Sequence, residues 1–135
     1  MDRKERYILP ITYNVHSGVQ LENDIRFTLE VIPNNPHMKA AGQMITDSDS
    51  MAFIYLLEDE TGYHYLKFGK EVWPMLVNTL KAVADPSLQI GDQEMSLHSF
   101  KEELNMLIFN IEGNDNYGAE FSRAVEDAFG EILQA

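Results

Sequence analysis

Hydrophobic and polar positions alternate through the first two-thirds of the chain. Residues 7–15 place an apolar or aromatic side chain at every second position, and residues 25–31 repeat the pattern. A period of two is typical of a half-buried β-strand. Pro10 lies within the first run, and proline cannot donate to a strand ladder, so we expect that strand at an edge of its sheet. Residues 16–18, with the sequence His-Ser-Gly, predict a turn after it.

The clearest strand pair predicted by the sequence is a β-hairpin in the middle of the chain. Residues 51–57 form a nearly continuous apolar run, and a short glycine-containing loop separates them from the strand pattern of residues 63–68. Because the first run is apolar on both faces, we expect it in the centre of a sheet. A weaker strand is predicted at residues 38–46. A short strand pair is predicted around residues 88–90 and 94–96.

The remaining segments have helical spacing. Residues 69–83 carry apolar side chains on one stripe, and Pro74 is expected in the first turn of that helix, where no intrahelical donor is lost. Ser99 and Glu102 fit a capping box at the start of a second helix. We expect Ser99 to accept a hydrogen bond from the Glu102 amide.

A third helix follows closely. Gly113 is expected to end the second helix in a left-handed conformation, Asn116 to cap the next one, and residues 121–133 carry an unbroken core-facing pattern. A short link between two amphipathic helices predicts an antiparallel helical hairpin. The predicted fold is therefore α+β, an antiparallel sheet of about five to seven strands with three helices on one face. We expect one domain spanning residues 1–135.

Charge and composition narrow the function classes. The chain has 22 acidic and 10 basic residues, a formal net charge of −12. Nucleic acids and anionic membrane surfaces would be repelled, whereas a basic protein partner is allowed. There is no cysteine, and no apolar run has the length of a signal peptide or a membrane span, so we expect a cytoplasmic protein.

Candidate chemistry is sparse. The four histidines lie in different predicted elements without metal-ligand spacing, and we predict no metal site. Asp47 and Asp49 could offer two carboxylates to a cation, but a turn in which they bind local backbone amides accounts for them. The common phosphate-binding and serine-hydrolase motifs do not occur. We therefore predict no catalytic residue and no cofactor.

Two segments carry a resemblance to a known family. Residues 47–58 read Asp-Ser-Asp-Ser-Met-Ala-Phe-Ile-Tyr-Leu-Leu-Glu, and residues 110–120 read Asn-Ile-Glu-Gly-Asn-Asp-Asn-Tyr-Gly-Ala-Glu. Together with the single Trp73, they resemble a small family of uncharacterised cytosolic proteins from low-GC Gram-positive bacteria. The resemblance covers about residues 46–129. It implies a soluble, cytosolic, single-domain protein and brings no catalytic residue with it.

Four side chains are candidates for an interaction surface. On a wheel of 3.6 residues per turn, Met106 and Phe109 fall off the apolar stripe of the second helix, and Trp73 is displaced from the stripe of the first. They form either a second packed layer or a self-association surface. Tyr117 is the aromatic centre of a polar turn, where packing across the turn and recognition are both open.

These observations lead to three hypotheses. The first is a non-enzymatic cytosolic protein that acts through protein–protein contacts, as a homodimer. The second is a small-molecule-binding or hydrolytic domain with a pocket between sheet and helices. The third is an acidic adaptor or inhibitor of a basic partner. The pocket of the second hypothesis would be lined by Tyr55, Tyr63, His64, Tyr65 and Trp73.

Overall fold

The structure is a computed structural model, and it describes residues 9–29 and 37–135. These residues form one mixed sheet, four helical segments and three short 3-10 turns. The strands are β1 (Thr12–Gln20), β2 (Ile25–Leu29), β3 (Lys39–Asp47), β4 (Ala52–Asp59), β5 (Gly62–Gly69), β6 (Ser87–Ile90) and β7 (Gln93–Ser96). The helices are α1 (Trp73–Lys81), α2 (Phe100–Ile111), α3 (Ala119–Ala128) and α4 (Gly130–Leu133). The 3-10 turns are Ser48–Ser50, Lys70–Val72 and Asp115–Tyr117.

The seven strands are arranged in the order β3-β4-β5-β1-β2-β6-β7. Most neighbours are antiparallel, but β1 pairs with β5 in parallel and β2 pairs with β6 in parallel. The α+β class and the strand number are confirmed, and the sheet is mixed rather than purely antiparallel. The predicted edge position of the first strand is wrong, because β1 lies between β5 and β2. Pro10 precedes Thr12, where β1 begins, so it removes no donor from the ladder.

The predicted turn at residues 16–18 lies inside β1. The pairing with β2 shifts register between Val15 and Ser17, which indicates a β-bulge. Gly18 follows the bulge, and a Cβ added there would lie 3.0 Å from Cε of Met75 on α1. The small and turn-forming residues at positions 16–18 therefore form a β-bulge and allow α1 to pack closely against β1.

The local strand and helix predictions are confirmed in most places. β4 and β5 form the predicted hairpin, and residues 52–57 are all buried in the interior of the sheet. β3, β6 and β7 occupy their predicted segments, with Pro74 in the first turn of α1. The end of the last helix differs. Phe129 has φ −107° and separates α3 from α4, so the predicted helix over residues 121–133 is broken next to Gly130.

The sheet curls around an aromatic core. Residues of β3 and β7, the two ends of the strand order, approach within 8 Å between Cα atoms. One group of rings surrounds Phe100 of α2, and a second group surrounds Phe53 of β4. The helices of the predicted hairpin, α2 and α3, contact one another, and α3 contributes Phe121 to the second group. The first group contains Phe27, Tyr55, Phe68 and Phe100. The second contains Phe53, Trp73, Phe121 and Phe129.

Across residues 9–29 and 37–135, no helix is both long and apolar enough to cross a membrane.

Candidate functional site

The exposed face of α2 carries two large apolar side chains. Met106 is 49% exposed and Phe109 is 46% exposed, whereas Leu104 and Ile108 are fully buried in the core. Residues three apart on a helix are neighbours on its surface, so the two exposed side chains adjoin. We call Met106 and Phe109 the α2 patch. Met106 and Phe109 are therefore exposed and do not form a second packed layer within the described residues.

The segment of α2 that carries the α2 patch contains no charged residue. Residues 104–111 contain no Asp, Glu, Lys or Arg, and the exposed neighbours of the patch within this segment are Asn105 and Asn110. Acidic side chains border that segment at both ends: Glu102 lies four residues before Met106 and Glu112 three residues after Phe109, and both are exposed. The α2 patch is therefore an apolar area with an acidic rim on a chain of net charge −12.

The strand beside α2 is protected along its edge. The Met44 amide on β3 donates to Oε1 of Glu103 on α2 at 3.1 Å. Nε2 of His98 donates to the Ala40 carbonyl at 3.1 Å, which requires the proton on that nitrogen. Edge groups satisfied by side chains are poor templates for another strand. Ile45 follows Met44 on the strand and is 44% exposed, so it points to the opposite face of β3 and does not extend the α2 patch.

The other two candidate interaction residues are placed differently. Trp73 is only 1% exposed, its Nε1 donates to the Phe68 carbonyl at 3.1 Å, and its ring packs against Phe53. Of its two predicted outcomes, the packed layer is the one observed, and Trp73 has almost no surface to offer a partner. Tyr117 is half-buried and packs against the core from the Asp115–Tyr117 turn.

Tyr117 also lines a groove formed by the two segments that carry the family resemblance. The groove holds about 300 Å³ between the Ser48–Ser50 turn and the start of α3. Each wall is a turn that binds its own amides: Asp47 accepts from the Ser50 amide at 3.3 Å, and Asn114 accepts from the Asn116 amide at 3.0 Å. The expected turn at Asp47 is confirmed. The expected cap of the third helix at Asn116 is wrong, because α3 begins after Gly118 without a side-chain cap, and Asn114 caps only the Asp115–Tyr117 turn.

His64 is the main polar residue that the sequence analysis misjudged. It is 1% exposed, and both ring nitrogens have partners. Nδ1 accepts from the Ile11 amide at 3.0 Å, so Nε2 carries the proton and donates to Oδ2 of Asp59 at 2.9 Å. Asp59 Oδ1 in turn accepts from the Thr61 amide at 2.8 Å. The imidazole therefore ties the segment before β1 to the β4–β5 hairpin.

A signal for this burial is present in the sequence. His64, Leu66 and Phe68 alternate on one face of β5, and all three are buried. A histidine in phase with two core residues is expected on the core face. Its partners, in contrast, lie in a turn and in the segment before another strand, and spacing alone does not bring them together.

Tyr55 is a second buried polar node. Its hydroxyl donates to the His98 carbonyl at 2.8 Å and accepts from the Gly42 amide at 3.1 Å. Burial raises the pKa of Tyr55 to about 12; the hydrogen bond from Gly42 opposes the shift, and the charges of Asp85 and Glu103 add to it. A phenol held neutral between two backbone groups has a structural role.

The residues of the predicted small-molecule pocket do not line a cleft. Tyr55, His64 and Trp73 fill the core, and Tyr63 is 48% exposed. His64 pairs with Leu57 near one end of β4, and Asp47 pairs with Ala52 at the other end. In the part of the chain that the structure describes, no group of three or more histidine, aspartate and glutamate side chains could hold a metal ion.

The fold and surface define a class, an acidic α+β protein whose described buried side-chain polar atoms have internal partners and whose α2 face is apolar. The chain belongs to UPF0738, a family of unknown function whose pattern matches residues 13–129. The expected resemblance is confirmed and extends further towards the N-terminus, through β1, β2 and β3.

Three relatives illustrate the match. A UPF0738 protein of Lysinibacillus sphaericus is 45% identical over 121 residues, covering 90% of this chain and 95% of the relative. One from Halalkalibacterium halodurans is 40% identical, covering 70% of this chain and 75% of the relative. One from Staphylococcus saprophyticus is 42% identical, covering 68% and 76%. No solved structure matches the chain.

Proposed function

We propose that this is a non-enzymatic cytosolic protein that acts through protein–protein contacts, and that a second copy of the chain binds at the α2 patch to form a homodimer. The observation that supports this most directly is the exposure of two large apolar side chains, Met106 and Phe109, side by side on α2. A two-fold dimer places the same patch on both sides of the interface, so each residue contributes twice.

The apolar area sets the scale of the affinity. Fully burying a side chain of this size contributes about 1.5–3 kcal/mol. Covering the exposed half of two residues in each of two copies therefore contributes roughly 3–6 kcal/mol. Association costs roughly 4–15 kcal/mol in lost translational and rotational freedom. The patch alone does not offset that cost, so contacts around it must add to the affinity, and we expect a weak dimer.

Charge determines how such a dimer responds to salt. Two copies that each carry −12 repel one another, and salt screens that repulsion. Added salt should therefore strengthen the homodimer. A complex between this acidic chain and a basic partner has the opposite response and weakens with salt. The direction of the salt effect thus separates the homodimer from the acidic-adaptor hypothesis.

The test is sedimentation of the full chain from about 1 to 100 µM, the range in which a weak dimer dissociates, at low and at high salt. Phe109→Asp places a charge on the patch and should give a monomer at every concentration. The matched control is Val83→Asp, at a side chain that is 81% exposed in the loop beside the first turn of α2 and outside the α2 patch, and it should dimerise like the wild-type chain.

Two results would contradict the proposal. One is a wild-type chain that stays monomeric at the highest concentration in high salt. The other is a Phe109→Asp variant that dimerises as well as the Val83→Asp control. The first would reject self-association, and the second would move the interface away from the α2 patch.

A further inference from the structure

The methionines of the described residues differ sharply in exposure. Met38 and Met44 are buried, at 7% and 5%. Met51, Met75 and Met95 are partly buried and pack against the core. Met106 is the only methionine of residues 9–29 and 37–135 that is classed as exposed, at 49%. Oxidants dissolved in water reach exposed thioethers first, so Met106 is the preferred site of attack among the methionines of these residues.

We propose that Met106 is an oxidation site through which peroxides control the association of this chain with itself. This inference rests on the proposed homodimer. In the reaction, the thioether sulfur attacks one oxygen of hydrogen peroxide, the O–O bond breaks, and an S=O bond forms. The sulfur loses two electrons, and the peroxide is reduced and leaves as water. The product is methionine sulfoxide, which methionine sulfoxide reductases reverse.

The position of Met106 turns this local change into a change of association. The sulfoxide is polar and strongly hydrated, whereas the thioether that it replaces lies beside Phe109 on an apolar face. Burying the new oxygen without a donor opposes dimer formation, and a symmetric interface contains it twice. We expect dissociation constants at least about tenfold higher after oxidation.

Because Met106 lies on the surface, its oxidation should leave the fold of the monomer intact. The Met106 side chain projects from the surface of α2, and the core of that helix is formed by Phe100, Leu104, Ile108 and Ile111. Oxidation of Met106 therefore removes little packing within the monomer. Oxidation of the buried Met38 or Met44 would instead place a polar group in the core. The association should respond to peroxide at doses that leave the thermal unfolding of the chain unchanged.

The experiment treats the full wild-type chain with increasing hydrogen peroxide and follows two readouts. Peptide mass spectrometry locates the added oxygen, and sedimentation measures the dissociation constant of the same samples. Met106→Leu removes the oxidisable sulfur, so its dissociation constant, whatever its value before treatment, should not change with peroxide. Met95→Leu, at a partly buried methionine, is the matched control and should respond like the wild-type chain. Sulfoxide reductase should restore dimerisation.

The outcomes separate the two proposals. If Met106 is fully oxidised and the dissociation constant is unchanged, the oxidation proposal is overturned and the homodimer stands. If oxygen is added first to Met51, Met75 or Met95, the claim of selective oxidation is overturned. If the untreated chain is already monomeric, the homodimer fails, and with it the control by peroxide, whatever the mass spectra show about Met106.

Discussion

The Asp85 carboxylate holds the first turn of α2, because its Oδ1 accepts a hydrogen bond from the Lys101 amide at 2.9 Å. Its Oδ2 accepts from the Ser99 amide at 3.2 Å. The Lys101 ammonium group returns to the same loop and donates to the carbonyl of Ala82. A residue that follows α1 thus caps the start of α2, and the ends of the two helices are fixed to one another.

This cap predicts which substitution destabilises α2. Replacing a capping Asp with Ala costs about 0.5–2 kcal/mol, so Asp85→Ala should lower the free energy of unfolding by that amount. Ser99→Ala should change it by less than about 0.5 kcal/mol, because the Ser99 side chain makes no cap bond. Urea unfolding of both variants measures the difference. A Ser99→Ala variant that is the less stable of the two would restore the capping-box interpretation.

The prediction of a capping box was wrong in the residue whose side chain accepts the hydrogen bonds, which is Asp85 and not Ser99. Ser99 and Glu102 have the spacing of that motif, but Ser99 adopts φ 62° and ψ 11°, a left-handed conformation. An N-cap residue normally adopts an extended conformation, from which its side chain reaches the first turn. Asp85 is far away in the sequence, and no local pattern connects it to α2. Tertiary contacts decide the cap here.

Tyr55 predicts a loss of stability at alkaline pH. Its pKa is raised from 10.0 to about 12 in the folded chain. The stability from neutral Tyr55 is complete below pH 10 and is lost as the pH rises to about 12, because only the unfolded chain releases the proton readily in that window. A shift of this size corresponds to a loss on the order of 2 kcal/mol.

The Tyr55→Phe variant isolates this effect from other titrations. At pH 8 it should be less stable than the wild-type chain by about 1–3 kcal/mol, because the buried Gly42 amide loses its acceptor. Between pH 10 and pH 12 the difference from the wild-type chain should shrink. Urea unfolding at intervals of pH measures it. A difference that stays constant across this window would show that Tyr55 titrates normally in the fold.

The close approach of Gly42 to His98 predicts that substitutions at the two positions have non-additive effects on the free energy of unfolding. Gly42 has φ +74°, and a Cβ added to it would lie 2.5 Å from Cε1 of His98. Gly113 has φ +68°, and nothing lies within 4 Å of a Cβ added there. A substitution at Gly113 therefore introduces backbone strain without a side-chain clash. Gly113→Ala should cost about 1–2 kcal/mol. Gly42→Ala should cost more, because the imidazole must also move.

A double-mutant cycle measures that additional cost. If the clash is with His98, the combined Gly42→Ala and His98→Ala variant should be more stable than the sum of the single variants predicts, by about 1 kcal/mol or more. Pairing Gly113→Ala with His98→Ala serves as the control and should be additive. Additivity at Gly42 as well would contradict the contact with the ring.

The features of the fold that depend on neighbouring residues were predicted from the sequence, and the pairings between distant segments were not. The β4–β5 hairpin and the position of Pro74 in α1 depend on neighbouring residues, and both were predicted. The parallel pairings of β1 with β5 and of β2 with β6 join distant segments, and alternation along a strand carries no information about its neighbours.

The same division applies to the candidate surface. The helical wheel separated Met106 and Phe109 from the stripe of α2, but it treated Trp73 in the same way. Trp73 lies at the start of α1, where a ring from α3, Phe121, packs against it. Amphipathic spacing assigns a side chain to one face of a helix. Whether another element covers that face depends on the tertiary fold.

The two hydrogen bonds of the His64 imidazole predict that this side chain stabilises the segment before β1. Substituting Phe keeps the ring volume but removes the acceptor of the Ile11 amide and the donor to Asp59. Loss of a buried partner costs about 1–3 kcal/mol, so His64→Phe should lower the free energy of unfolding by that amount and speed hydrogen exchange at the Ile11 amide.

The control variant is His16→Phe, at an exposed position of β1, and its free energy of unfolding should stay within about 0.5 kcal/mol of the wild-type value. The Tyr65 amide, which donates to the Ile11 carbonyl at 2.9 Å, should keep its protection in both variants. If exchange at Ile11 is unchanged in His64→Phe, the imidazole does not hold this segment, and the pairing of β1 with β5 is sufficient to do so.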